Sequence, residues 1–267
     1  MNEVNNDELQ NILFDISKKN IIPKFKNLKK SEIQYKNIND LVTSVDIKVE
    51  EELKDKLTSL LPNSLFVGEE IFSRNPKVID AYKEKKFCWT VDPIDGTTNF
   101  TQGKEKFATM IALSYQDKIL QSWIYKPLTE EFSYAILNGG AYINSKKILI
   151  SANSSIHNSI GSISFKYWEE KYEKKMKNLK IFFKNINSYR CIGFEYIDIV
   201  KGIRDFAILS KVSVWDHIAG ILILREAGGV DMHFDNSTYN HCIKKNNLIV
   251  SSSKILQNEI INLIKEN

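Results

Sequence analysis

The sequence predicts a mixed α/β (α+β) fold, because segments with the period of a strand and segments with the period of a helix succeed one another along it. Residues 107–144 alternate apolar with polar side chains, are rich in β-branched and aromatic residues and are interrupted by turn residues, which predicts an antiparallel meander. Short apolar strands then alternate with helical patterns up to the C-terminus. With no internal repeat or low-complexity tract, we expect one domain over residues 1–267 with a soft boundary near residue 150.

In the N-terminal part the pattern predicts two amphipathic helices and two strands. The first helix is expected within residues 7–30 and the second at 47–60, where Pro62 ends it. Strands at residues 64–70 and 85–92 each run into acidic residues. Beyond residue 150 we expect strands at 162–165, 188–193, 205–209, 228–234 and 247–252, and helices near 167–179, 195–202, 217–227 and 254–265.

The composition is that of a globular protein, with 267 residues of which 43% are hydrophobic. The formal net charge of +4 is spread along the chain, and the densest basic run, residues 166–180, has the spacing of a solvated helix face rather than a nucleic-acid patch. Three cysteines without a CxxC motif, no signal peptide and no long apolar run predict a cytoplasmic protein without disulfides or a membrane span.

Acidic residues recur where an apolar strand ends or a buried helix begins. Glu69 and Glu70 end one predicted strand, Asp92 and Asp95 end the next, and Asp216 opens a helix that is apolar on nearly every side. A carboxylate beside a core is costly unless it is paired, and no cluster of Arg or His is near in sequence. Hard cations such as Mg²⁺ take such oxygen ligands, so the pattern indicates a metal site.

Each acid also has an ordinary structural interpretation. Asp216 alone would be a helix N-cap, and Glu69 with Glu70 would be a surface turn. The segment 92–96, with its Pro and Gly, would be a turn as well. The metal interpretation is favoured because the same design occurs at three places.

The segment "DPIDGTTN", residues 92–99, has a spacing that suits two-metal phosphoryl transfer. A strand ending at Asp92 and turned by Pro93 can aim both acids at one point, with the carbonyl of Ile94 between them. Such sites hold their ions roughly 3.5–4 Å apart. The small residues from Gly96 onward can begin a helix whose free N–H groups bind a phosphate, and Thr97 can orient the attacking water.

The segments "VDPIDGTTNF" and "WDHIAGILILREAGGV" closely resemble two signature motifs of the inositol monophosphatase family, in the lithium-sensitive Mg²⁺-dependent phosphatase superfamily. "DLVTSVDIKVEEEL" and "GEE" are similar to its N-terminal motifs, and the resemblance covers roughly residues 40–250. It implies a layered αβαβα sandwich of the inositol monophosphatase / fructose-1,6-bisphosphatase type, usually a homodimer. It also implies direct attack by metal-activated water on a phosphomonoester.

The resemblance further implies roles for individual residues. Gly96 and Thr97 would hold the phosphate through their backbone amides, and Thr97, Asp46 and Glu69 would serve catalysis. The groups implied to bind two or three Mg²⁺ ions are those of Glu69, Asp92, Ile94 (its carbonyl), Asp95 and Asp216.

Two departures from the family pattern bear on the substrate. Seven residues before Asp216, where inositol phosphatases have an acid that accepts bonds from inositol hydroxyls, this chain has Leu209. Phe194 and Glu195 stand where the family usually has small residues. One hypothesis is that Glu195 replaces the missing acid, with Phe194 narrowing the pocket or stacking on the ligand. The alternative, given equal weight, is that Glu195 points to solvent.

The sequence thus predicts a Mg²⁺-dependent phosphomonoesterase for a small sugar or polyol phosphate, closest to inositol 1-phosphate. The alternatives are 3'(2'),5'-bisphosphate nucleotidase or fructose-1,6-bisphosphatase activity and, from another class, an RNA-polymerase-associated regulatory protein. His217, beside Asp216, is interpreted as a packing or surface residue rather than a general acid. We expect a small-molecule partner, lithium sensitivity, and binding to neither membrane nor nucleic acid.

Overall fold

The computed structural model describes residues 4–37, 40–151, 155–164 and 166–266. The α-helices are α1 (Asn6–Ile16), α2 (Ser44–Leu60), α3 (Glu69–Arg74), α4 (Thr97–Thr101), α5 (Glu170–Asn178), α6 (Ile192–Val200), α7 (Val214–Glu226) and α8 (Lys254–Glu266). The strands are β1 (Ile33–Asn37), β2 (Asp40–Thr43), β3 (Leu65–Gly68), β4 (Phe87–Asp95), β5 (Ala108–Tyr115), β6 (Lys118–Lys126), β7 (Glu131–Ile136), β8 (Gly140–Ile143), β9 (Lys146–Ile148), β10 (Ile160–Ile163), β11 (Asn185–Ile186), β12 (Phe206–Leu209), β13 (Val230–His233) and β14 (Leu248–Ser251).

The larger sheet has seven strands in the order β3-β4-β5-β6-β7-β8-β9. The pair β3–β4 is parallel and every later pair is antiparallel, which confirms the predicted meander. One face, with Trp89 and Trp123, packs on helices α1 and α2. The opposite face, with Met110 and Ile124, packs on α6 and α7.

The smaller sheet, in the order β11-β10-β12-β14-β13, completes the layers. Ala207 and Val250 on one face contact the cluster that holds α6 and α7. Phe206 and Ile249 on the other face pack against α5 and α8. The layers therefore run helix, sheet, helix, sheet, helix, and the expected αβαβα sandwich is confirmed. Because α7 lies between two sheets, it can be apolar on nearly every side.

Several element boundaries differ from those predicted. The strand expected at 188–193 is wrong, because α6 already begins at Ile192. Glu69 and Glu70 begin helix α3 instead of ending a strand, and β4 continues past Pro93 to Asp95 instead of ending at Asp92. Phe165, in the strand predicted at 162–165, lies outside the described residues.

The change from the larger to the smaller sheet falls between Ile148 and Ile160. A single domain with a soft boundary near residue 150 remains a prediction. Within the described ranges, none of the helices combines the length and the apolar character that crossing a membrane requires.

Candidate active site

Five carboxylates converge at the end of β4. Asp92 and Asp95 are buried in that strand, and Asp46 is buried in the first turn of α2. Glu69 and Asp216, both partly buried, come from the first turns of α3 and α7. Since Asp216 is the third residue of α7, after Ser213 at the N-cap position, its interpretation as an ordinary N-cap is wrong.

Mutual repulsion among these acids appears in their pKa values. Burial, and then the charges of the other four acids, hold the pKa of Asp92 well above its usual range. Burial, Glu69 and Asp95 raise the pKa of Asp216 to about 8. Burial raises the pKa of Asp46 to about 6, although hydrogen bonds to its carboxylate oppose the shift. The acids are therefore close enough for their charges to disfavour ionisation of Asp46, Asp92 and Asp216.

An irregularity in β4 sets the direction of its two acids. The register with β5 shifts between Asp92 and Asp95. The N–H of Ile94 donates to Asp92 Oδ1 at 3.0 Å, and the hydroxyl of Thr109 donates to the carbonyl of Pro93 at 2.9 Å. Both acids are thus aimed from one irregular strand segment, without the chain having to leave the sheet.

Thr97 links this strand to α2. Its hydroxyl lies 3.1 Å from Asp46 Oδ1 and 3.0 Å from the carbonyl oxygen of Ile94, within donating distance of both. Asp46 Oδ2 accepts the N–H of Thr43 at 2.8 Å and also the Thr43 hydroxyl, in a capping box that begins α2. This box explains why α2 begins at Ser44, three residues before the predicted start.

Two hydrogen bonds that the sequence analysis missed hold α3, and so Glu69, in place. The carboxylate of Glu50, fully buried in α2, accepts the N–H groups of Glu70 and Ile71, each at 2.7 Å. A Cβ on Gly68 would lie 2.3 Å from Glu50 Oε2, so only glycine lets the carboxylate approach this closely. Glu50 therefore acts as a cap for α3 from a distant part of the chain.

Asp95 caps α6 in a similar way. Its Oδ2 accepts the N–H of Gly193 at 2.6 Å and the S–H of Cys191 at 3.0 Å, and its Oδ1 accepts the N–H of Ile192 at 3.2 Å. Burial raises the pKa of Asp95 to about 6 against these bonds, which favour the charged form. Asp95 thus couples the acid cluster to the helix that carries Glu195.

The chemistry of this cluster fits a hard divalent cation. The candidate ligands are carboxylate oxygens and one carbonyl oxygen, which are the donors that Mg²⁺ takes, and a cation would offset their repulsion. The side chains are not yet arranged as a closed metal site: in the described part of the chain, no three His, Cys, Asp or Glu side chains surround one point closely enough to hold a metal ion. Both oxygens of Asp95 are instead directed to α6.

Gly96 makes the tight connection from β4 to α4. Its φ of 88° lies in the left-handed region, and a Cβ there would lie 2.9 Å from the carbonyl oxygen of Lys106. Helix α4 begins at Thr97, within the run of small residues from Gly96 onward that was expected to be able to begin a helix. The first N–H groups of a helix have no partner within it, so those beside Gly96 are placed beside the acids with hydrogen-bonding capacity to spare.

A cavity of about 310 Å³ opens beside the acid cluster. Asp95 and Asp216 of the acid cluster line it, and so do Glu195 and Leu209. Four serines add hydroxyl groups to its wall: Ser162, Ser164, Ser188 and Ser210.

Glu195 is 3% exposed and points into the protein, so the alternative that it points to solvent is wrong. Its Oε1 accepts the Ser188 hydroxyl at 3.0 Å and the N–H of Tyr189 at 2.7 Å, and its Oε2 accepts the Ser162 hydroxyl. Burial raises its pKa. An ionised carboxylate has about four acceptor positions, so one remains on Oε2 after these three bonds.

Phe194 and His217, the two other side chains considered for the site, have contacts that favour packing over a direct part in the reaction. Phe194 packs its ring 4.2 Å from the Lys126 ammonium and is not among the described residues that line the cavity, so its role toward a ligand remains a prediction. His217 lines the cavity but is buried, with Nδ1 3.1 Å from the Tyr196 hydroxyl. Burial lowers the pKa of His217 to about 3, which keeps it neutral and supports a packing role.

The sequence matches the inositol monophosphatase family over residues 5–267. The chain belongs to the inositol monophosphatase family. This membership makes it a phosphomonoester hydrolase, and the acid cluster on β4, α2, α3 and α7 is its candidate active site.

Individual relatives agree with this assignment. An inositol monophosphatase of Dictyostelium discoideum is 33% identical over 210 residues, which cover 76% of this chain and 76% of the relative. The Nus factor SuhB of Vibrio cholerae is 28% identical over 255 residues, covering 92% of this chain and 91% of the relative. A solved Thermotoga maritima IMPase superposes with a TM-score of 0.83 at 22% identity, covering 97% of this chain and 96% of that one, which shows a shared fold.

Proposed function

We propose that this member of the inositol monophosphatase family is a Mg²⁺-dependent phosphatase of a small hydroxylated monophosphate, of the polyol or sugar class. The observation that carries the proposal is the pairing of five carboxylates with a serine-lined cavity of about 310 Å³. That volume is at the lower end of ligand pockets and suits a small polar molecule. Mg²⁺ would be held by Glu69, Asp92, the carbonyl of Ile94, Asp95 and Asp216.

When bound, Mg²⁺ would supply a Lewis acid that offsets the charge of the phosphate and of the acids. The chain's own groups position the phosphate and the attacking water. The backbone N–H groups of Gly96 and Thr97 bind phosphate oxygens. With its proton directed to Asp46 Oδ1, the Thr97 hydroxyl oxygen accepts a hydrogen bond from the attacking water. Asp46 in turn is fixed by its bonds to Thr43.

The substrate's hydroxyl groups meet the polar residues that line the cavity beside the acid cluster. The remaining acceptor position on Glu195 Oε2 takes one substrate hydroxyl, and the neighbouring Ser162 stays bonded to the same oxygen. Leu209, which stands in the place of the family's acid and lines the same cavity, cannot accept a hydrogen bond from a substrate hydroxyl. The contacts of Glu195 thus favour a polyol while the position of Leu209 narrows which one.

Phosphate release from a panel of phosphomonoesters, with and without Mg²⁺ and Li⁺, tests the reaction. The panel contains inositol 1-phosphate, fructose 1,6-bisphosphate, 3'-phosphoadenosine 5'-phosphate and p-nitrophenyl phosphate. We expect Mg²⁺-dependent release, inhibited by Li⁺, that is fastest with a polyol or sugar phosphate. Absence of release from every compound would contradict the proposal.

A comparison of two substrates isolates the role of Glu195. In Glu195→Gln, kcat/KM for the best polyol phosphate should fall by about 10- to 100-fold, the range expected for loss of a hydrogen bond to a charged group. The kcat/KM for p-nitrophenyl phosphate should be unchanged, because this substrate has no hydroxyl group that could donate a hydrogen bond to Glu195. An equal fall for both substrates would mean that Glu195 only supports the loop at Ser188 and Tyr189.

A second candidate is a regulatory protein associated with RNA polymerase. The observation in its favour is the similarity to a relative named Nus factor. Co-elution with purified RNA polymerase on a sizing column, retained by a catalytically inactive Asp92→Asn protein, would support it. A homodimer and a cytoplasmic location remain predictions, the first testable by light scattering.

A further inference from the structure

The loop between β11 and α6, residues 187–191, contacts both Glu195 and the helix that follows Gly96. Toward α6, the N–H of Tyr189 donates to Glu195 Oε1 at 2.7 Å. Toward α4, the carbonyl oxygen of Tyr189 accepts the side-chain NH₂ group of Asn99 at 2.8 Å. Tyr189 therefore connects the proposed acceptor of substrate hydroxyls with the turn that is proposed to bind phosphate.

Two cations hold the ring of Tyr189. The ammonium of Lys106 lies over this ring, 3.1 Å from its centroid, and the guanidinium carbon of Arg204 lies over it at 3.7 Å. The quadrupole of an aromatic ring attracts a cation that lies over its face. Arg204 is 1% exposed and also donates to the carbonyl oxygen of Asn187 at 2.7 Å, so its guanidinium is fixed against the same loop.

The backbone of Lys106 lies against the turn at Gly96. The carbonyl oxygen of Lys106 accepts the same NH₂ group of Asn99 at 2.8 Å, and a Cβ on Gly96 would lie 2.9 Å from this oxygen. The ammonium of Lys106 lies 5.6 Å from the ring centroid of Phe194, the residue before Glu195. Lys106 thus has its main chain beside the proposed phosphate-binding turn and its charge over two rings next to Glu195.

We propose that Tyr189 and Lys106 are positioning residues, which set the place of Glu195 relative to the bound phosphate and so determine which hydroxylated monophosphates fit. Neither side chain has to touch the substrate. The cations over the ring hold the loop, and the N–H of Tyr189 then orients the Glu195 carboxylate toward a substrate hydroxyl. This inference rests on the function proposed above.

The test compares the best polyol phosphate with p-nitrophenyl phosphate in variants of the full chain. Tyr189→Leu keeps the N–H but removes the ring, so kcat/KM for the polyol phosphate should fall roughly 3- to 30-fold, mainly through a higher KM. In Lys106→Met the fall should be roughly 2- to 10-fold. Both variants should hydrolyse p-nitrophenyl phosphate as the wild type does, because that substrate has no hydroxyl group for Glu195.

Three further variants separate the contact between cation and ring from the bulk of the side chains. Tyr189→Phe retains the ring and Lys106→Arg retains a cation, so both should behave as the wild type does. Lys104→Met is the matched control, since it makes the same change as Lys106→Met on a nearby exposed lysine. Losses in Tyr189→Leu and Lys106→Met, with none in these three variants, would identify the contact.

A double-mutant cycle determines whether Tyr189 acts through Glu195. If it does, Tyr189→Leu should add little to the loss of kcat/KM caused by Glu195→Gln, whereas independent effects would multiply.

Hydrogen exchange of the Tyr189 amide is a measurement that needs no activity. Because this N–H donates to Glu195, it should exchange roughly 2- to 30-fold faster in Lys106→Met than in the wild type. Its exchange should be unchanged in Lys104→Met.

Four results would overturn the proposal: equal losses for the two substrates, multiplied losses in the double variant, wild-type kinetics in both Tyr189→Leu and Lys106→Met, or unchanged amide exchange in Lys106→Met. If the wild type releases no phosphate from any compound, the proposed function fails, and amide exchange alone decides whether Lys106 holds the loop. If Tyr189→Leu or Glu195→Gln does not fold, Lys106→Met with its control still decides the matter.

Discussion

The carboxylate of Glu50 accepts hydrogen bonds from the first turn of α3. Replacing this carboxylate with an amide tests whether these hydrogen bonds fix the position of Glu69. The two oxygens of Glu50 accept the N–H groups of Glu70 and Ile71 at 2.7 Å each. In Glu50→Gln the side-chain oxygen can keep one bond, but the NH₂ group then faces the other N–H. We expect a loss of about 1.5–3 kcal/mol, the usual value of a hydrogen bond to a charged group.

That loss should lower the Tm by roughly 3–12 °C for a chain of this size. Because Glu69 is in the same turn, the apparent affinity for Mg²⁺ in the phosphatase assay should fall about 10- to 100-fold, as for other groups that orient metal ligands. The assay is phosphate release across a Mg²⁺ series, with Tm measured by circular dichroism on the same samples.

Glu51→Gln is the matched control, since it makes the same change on the next residue of α2. The Glu51 side chain is 63% exposed and lies 3.9 Å from Arg74, a surface pair that contributes little. The Tm of Glu51→Gln and the Mg²⁺ dependence of its activity should be those of the wild type. If Glu50→Gln also matches the wild type in both measurements, the cap does not position Glu69 and the reasoning is refuted.

Three further changes test the same site. Asp92→Asn should lower turnover by about 100-fold or more, yet in a chelator its Tm should equal or exceed that of the wild type, because a buried charge opposed by four other acids is removed. Mg²⁺ at 100 times its Kd should raise the unfolding free energy of the wild type by about 2.7 kcal/mol in denaturant titrations, and that of Asp92→Asn by less. Gly96→Ala should cost about 1–3 kcal/mol in the same titrations, given its φ of 88°.

Asp55→Asn, an exposed change on α2, serves as the control for Asp92 and should leave turnover intact. Wild-type turnover in Asp92→Asn would remove Asp92 from the site. An Mg²⁺ effect on stability that is equal in both proteins would place the cation elsewhere, and a stable Gly96→Ala protein would show that the turn tolerates a Cβ.

Features set by local pattern could be predicted from the sequence. The meander from β5 to β8 follows from alternation and turn residues, and the burial of α7 follows from its apolar residues on every side. The acids of the site could be singled out because they stand at element ends. The layered sandwich itself came from the family resemblance, since no local pattern states how two sheets stack.

Features held by distant partners could not be predicted. Residues 188–193 were expected to form a strand, but α6 begins at Ile192 because Asp95, 98 residues before Gly193, caps it. The cap of α3 by Glu50 spans 20 residues and has no local signature either. The capping box of Thr43 and Asp46 is different, because its four-residue spacing was visible in the sequence and could have placed the start of α2 correctly.

The substrate question depends on an asymmetry of the active-site cavity. Its lining combines Glu195 and serine hydroxyls with the apolar side chain of Leu209. A ring with hydroxyls on every edge would leave at least one of them unpaired against Leu209, at about 1–3 kcal/mol. A substrate with an apolar edge would not incur this loss, and its other hydroxyls could still reach Glu195. We therefore expect the replacement of an acid by Leu209 to select among polyol phosphates instead of abolishing polyol binding, because Glu195 offers an acceptor in the same cavity.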